Sequence, residues 1–80
     1  MKITYSIFSK GHIKINYDNK SITITGELIY DPPTFYADLV ALKIWDAPNS
    51  KEITEQEKKD IIDYITSNSL KEIGTKIIFD

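Results

Sequence analysis

The side chains that could do chemistry in this 80-residue chain are few and scattered. His12 is the single histidine. It follows Gly11 on the polar side of an alternating stretch, with no neighbour in sequence to tune it as a base, and it reads as a solvated surface residue. Glu57, Asp60 and Asp63 recur every three residues, a spacing that can gather carboxylates for a metal or for acid–base work. Lys58 and Lys59 interleave them, however, in the manner of a solvated helix face. Serines and threonines fall mostly at outward strand positions without a glycine-framed elbow, and Gly11, Gly26 and Gly74 are isolated. Neither an activated nucleophile nor a phosphate-cradling loop is spelled out. The expectation is a protein that is not an enzyme, with no catalytic residue, no cofactor and no metal.

The stretch Ile44-Trp45-Asp46-Ala47-Pro48 carries the only tryptophan. A large aromatic there can cap the core between sheet and helix. It can equally anchor an interface, since tryptophan and tyrosine concentrate in binding hot spots and Tyr30, Tyr36 and Asp38 lie close in sequence.

These residues must be positioned by a small set of elements. Lys2 to Phe8 alternates strictly, with Ile3, Tyr5 and Ile7 on one side, as a half-buried strand does. Ser9-Lys10-Gly11 is a turn, and Ile13, Ile15 and Tyr17 then alternate with polar residues. Asp18-Asn19 suits a tight hairpin before Ser21 to Thr25, which completes an antiparallel meander. Gly26 interrupts the pattern and predicts a bulge or bend before a short fourth strand, Glu27 to Tyr30. Asp31-Pro32-Pro33 ends it. Phe35 to Trp45 fits either a strand or one helical face, with extended structure favoured. Thr54 and Glu57 stand at capping-box spacing, so a helix is expected from Glu55 to about Asn68, burying Ile61, Ile62 and Ile65 and pairing Glu55 with Lys59. Gly74 introduces a last strand, Thr75 to Phe79. The predicted fold is α+β: a mainly antiparallel sheet of about five to six strands with one helix packed across it, residues 1–80 forming one domain.

Composition narrows the function classes. Twelve acidic residues face ten basic ones, all lysine, for a net charge of −2. The absence of arginine and the slight acidity argue against direct nucleic-acid binding. No cysteine is present, so no disulfide framework is expected. No apolar run has the length of a signal peptide core or a membrane span, and a soluble cytoplasmic domain without membrane contact is expected. Fifteen isoleucines favour a sheet-rich core.

The order of signals resembles small bacterial immunity proteins of polymorphic toxin and contact-dependent growth inhibition systems. The matching residues are Gly11-His12-Ile13-Lys14-Ile15, Gly26-Glu27, Phe35-Tyr36-Ala37, Trp45-Asp46-Ala47-Pro48, Thr54-Glu55 with Ile61-Ile62, and Ile77-Ile78-Phe79-Asp80. The likeness spans about residues 10 to 80. Two features depart from the pattern: Lys2 to Phe8 is a better-formed strand, and Leu39 to Lys43 is more apolar.

The resemblance implies an antitoxin-like protein that neutralises a cognate toxin domain by occlusion, without catalysis. Binding would come from a few anchors and complementary charge. A basic nuclease suits an acidic partner, although this net charge is small. The free protein would be a monomer or weak homodimer. The expected partner-binding residues are Glu27, Tyr30, Tyr36, Asp38, Trp45, Asp46 and Glu52. Reversing the charges of Asp46 and Glu52 is expected to weaken binding with little change in stability. The alternative is a small non-catalytic regulatory or structural domain that self-associates through a sheet edge.

Overall fold

The computed structural model describes residues 2–80. Five strands form one sheet in the order of the chain: β1 (Ile3–Ser9), β2 (His12–Tyr17), β3 (Lys20–Ile29), β4 (Thr34–Ala37) and β5 (Lys76–Phe79). A single helix, α1 (Glu55–Ile73), packs against it, and a 3-10 turn spans Leu39–Ala41. The fold is α+β and mostly antiparallel, as the alternation predicted. The exception is the last pairing: β5 runs parallel to β4, the connection between them carrying α1. Parallel neighbours need such a crossover, and a helix supplies it.

The β2–β3 hairpin turns at Asp18 and Asn19, with Asp18 at φ 53°, a conformation aspartate tolerates better than most residues. Gly26 does not start a new strand. It lies inside a continuous β3 whose residues 20–25 pair with β2 and whose residues 26–29 pair with β4. Its missing side chain makes room for an aromatic ring: a Cβ there would lie 2.7 Å from Phe35 Cζ and 2.5 Å from the Tyr36 carbonyl oxygen. Gly26→Ala is therefore expected to cost about 1–3 kcal/mol through forced movement of Phe35 and β4. Urea unfolding of the two proteins measures it.

Residues 35–45 divide between the two readings open in the sequence. Phe35 and Ala37 are buried on the strand β4, whereas Leu39–Ala41 form one helical turn. The α1 helix begins as expected: Thr54 Oγ1 accepts from the Glu57 N–H at 3.1 Å, and Glu57 Oε1 accepts from the Thr54 N–H at 2.9 Å. Removing the hydroxyl in Thr54→Ala should lower stability by about 0.5–2 kcal/mol in urea titrations. Glu55 pairs with Lys58, at 3.4 Å, rather than with Lys59.

The helix also runs past Asn68 to Ile73 and stops at Gly74, φ 69°. The apolar stripe of Ile61 and Ile65 continues at Ser69, a polar residue that is fully buried. Ser69 Oγ accepts from the Ile77 N–H at 3.0 Å, which ties the helix to β5. One core results, built from Ile13, Ile15, Ile22, Ile24, Phe35 and Ile77 of the sheet with Ile61 and Ile65 of the helix. Leu42, Trp45 and Ile53 of the loop between β4 and α1 complete it.

Candidate partner-binding surface

A strand sends alternate side chains to opposite sides. With Ile13, Ile15, Ile22, Ile24 and Ile77 committed to the helix side, the other set lies on an open face. Register brings that set together: Glu27 is opposite Tyr36, and Tyr36 is opposite Ile78. One row over, His12 is opposite Thr25, and Thr25 Oγ1 donates to Asp38 Oδ2 at 2.5 Å. The next row pairs Lys14 with Thr23, whose N–H donates to Asp46 Oδ2 at 2.8 Å. Glu27, Tyr36, Asp38 and Asp46 are all exposed. Three of the seven expected partner-binding residues, Glu27, Tyr36 and Asp38, therefore share one face of the sheet, two of them carboxylates, and Asp46 caps the adjoining β3 edge.

The other three lie elsewhere. Tyr30 is exposed in the turn after β3, with Lys10 Nζ 5.9 Å from its ring centre. Glu52 is exposed in the loop before α1, where it bridges to Ile44. Trp45 is 1% exposed. It is a core residue and cannot itself touch a partner. The loop turns it inward because the neighbouring backbone is pinned to β3: the Asp46 N–H donates to the Ser21 carbonyl at 2.9 Å, and the Ser21 N–H donates to that of Ala47, also at 2.9 Å. Asp46 is likewise less free than expected. Its carboxylate serves the Thr23 N–H, so Asp46→Lys would disturb the β3 edge as well as change the charge.

Thr23, Thr25 and Ile78 belong to the same face and were missed as site residues. Thr23 and Thr25 share strand parity with Glu27, the one signal in the sequence that could have found them. His12 is exposed; its Nδ1 lies 2.9 Å from Ser9 Oγ and its ring stacks on Phe8. It thus has a hydroxyl partner that the sequence did not suggest. Among the described residues no three His, Cys, Asp or Glu side chains converge as a metal site. No helix is long and apolar enough to cross a membrane.

Behind the face, Glu57 connects sheet, loop and helix. Its carboxylate accepts from Lys20 Nζ at 2.6 Å, from the Thr54 N–H and from Trp45 Nε1 at 3.3 Å. Lys20 Nζ also sits 5.5 Å from the Tyr17 ring centre and 5.9 Å from that of Trp45, within cation–π range. Burial pushes the Glu57 carboxyl up, but Lys20, the Thr54 amide and Trp45 outweigh it and hold it at about 2, below an ordinary 4.5. A lowered folded-state value gives stability that is complete above pH 4.5 and lost as the pH falls toward 2. The shift implies a ceiling of about 3 kcal/mol. Because Lys20 is 29% exposed, the expected acid-side loss is about 1–2 kcal/mol. Melting curves of the parent and Glu57→Gln at pH 6 and pH 3 should converge at the lower pH.

Glu27, Tyr36, Thr25 and Asp38 thus share an open sheet face, and the class the fold defines is a small α+β domain with one helix on a mostly antiparallel sheet. The chain belongs to the immunity protein 74 family (Imm74), whose family model matches residues 2–80. No curated protein and no solved structure matches it.

Proposed function

We propose that this protein neutralises a cognate bacterial toxin by covering it, without catalysis, in the cytoplasm of a cell that uses a polymorphic toxin or contact-dependent inhibition system. Membership of the Imm74 family supports the immunity role and implies a toxin partner. The observation that carries the binding face is the convergence of Glu27, Tyr36 and Asp38 on one side of the sheet, with Asp46 at the adjoining β3 edge. A tyrosine anchor rimmed by carboxylates suits a basic partner surface, such as that of a nuclease. Tyr30 and Glu52 form outlying members, and Trp45 contributes by holding Asp46 in place. Co-expression with the toxin encoded beside it tests the reading: cells should survive and the two chains should copurify. Survival without a complex would overturn occlusion.

A further inference from the structure

At the end of the strand order opposite β5, the β1 edge is open. Among the described residues β1 pairs only with β2. The Lys2 carbonyl accepts from the Asp18 N–H at 2.8 Å, which fixes the phase of the ladder. Antiparallel pairing alternates, so Thr4 and Ser6 turn their backbone groups to β2, and Ile3, Tyr5 and Ile7 turn theirs to the free edge. Proline and inward-pointing charge, two common protections of an edge, are absent from Ile3–Ser9, and the one irregularity lies at its end, between Ile7 and Ser9.

A groove of about 480 Å³ runs beneath this edge on the helix side, lined by Ile3, Tyr5, Tyr64, Glu72 and Ile73 among others. A second, of about 350 Å³, adjoins it at Ile73 and is lined by Ile7 and Leu28. Between them they offer apolar floor at alternate positions along the strand, and two charges, Lys2 and Glu72, line the first groove. Glu72 is held from two sides: the Tyr5 hydroxyl donates to Oε1 at 2.6 Å and the Tyr64 hydroxyl to Oε2 at 3.0 Å, the rings packing edge to face at 6.3 Å. Burial and the carboxylate both push the Tyr5 phenol well above its ordinary range, so it stays a donor. Each carboxylate oxygen has a second acceptor site. Among the described residues no cation pairs with Glu72.

We propose that the β1 edge and its groove receive an extended segment of a partner chain, which continues the sheet at Ile3, Tyr5 and Ile7 and sets a lysine or arginine on Glu72. On the reading above, the toxin supplies that segment; the proposal rests on it for the identity of the partner only. A second copy of this chain fits less well. Two-fold pairing about Tyr5 would bring two Glu72 carboxylates to the same seam, where the groove-lining cations are the two copies' own Lys2, and like charges repel.

The probe is a capped seven-residue peptide, Thr-Val-Thr-Arg-Thr-Val-Thr, which puts valine, arginine and valine on one side of a strand. Its control carries glutamate in place of arginine. Titrated into the free protein at low salt, the arginine peptide should slow amide exchange at Ile3, Tyr5 and Ile7. It should bind about tenfold tighter than the control, a preference that Glu72→Gln removes. Equal binding of the two peptides, slowed exchange only elsewhere, or no slowing at millimolar peptide would overturn the proposal. So would concentration-dependent protection of the same amides in the protein alone with a dimer in light scattering, which would make a second copy the occupant. Because the toxin takes no part, failure here leaves the immunity reading intact, and failure of toxin neutralisation leaves the groove's preference intact.

Discussion

Trp45→Ala should lower the stability of the domain by about 3–5 kcal/mol, the range for deleting a large buried aromatic. The side chain is 1% exposed, packs against Tyr17 at 5.9 Å between ring centres, and donates to Glu57. Alanine leaves a cavity and withdraws one of the donors that keep the Glu57 carboxylate charged beside Lys20. Net stability of a small domain is about 5–15 kcal/mol, so this one substitution removes a large share of it. Trp45→Phe separates the two contributions, because the ring volume is mostly restored and the N–H is not. Urea midpoints should rank parent, Phe variant, Ala variant. If the Ala variant matched the parent in stability while losing toxin binding, the residue would be an interface anchor instead.

The second large effect is expected in binding. Glu27→Lys with Tyr36→Ala should weaken the complex with the cognate toxin by about 2 kcal/mol or more, about 30-fold, because an exposed aromatic anchor and its neighbouring charge are removed together. These positions are chosen over Asp46 and Glu52, since Asp46 holds the Thr23 amide and its replacement would confound binding with stability. Both side chains point away from the core, so melting temperature should change little. The loss should include slower association at low salt, the signature of a charge that steers encounter. Unchanged kinetics at low and moderate salt would exclude this face as the toxin contact.

Much of this molecule is legible in the residues themselves. The alternation of Ile3, Tyr5 and Ile7, and of Ile13 and Ile15 with polar neighbours, determines strands and which side of each is buried, because the two-residue period of a strand is local geometry. Asp18-Asn19 determines the hairpin and Thr54 with Glu57 the helix start, again through interactions spanning at most three residues. Local signals fail where the deciding partner is distant in sequence. Nothing near Ser69 shows that it will be buried; its hydroxyl is satisfied inside the core by the Ile77 amide, a partner on a different element. Gly26 looks like an interruption until Phe35 fills the space over it. Trp45 carries the same side chain in the core as it would at an interface, and only the pinning of its neighbours to Ser21 turns it inward.

The candidate surface divides in the same way. The family resemblance and the residue types together single out Glu27, Tyr36, Asp38 and Asp46, but the assembly of the first three on one side depends on the β2–β3–β4 register, which aligns residues far apart in the chain. The parallel β4–β5 pairing was likewise invisible, since strand direction depends on where a helix returns the chain. Composition and period thus determined the elements and the buried side of the early strands, and tertiary packing decided where Ser69, Gly26 and Trp45 stand and which distant side chains meet.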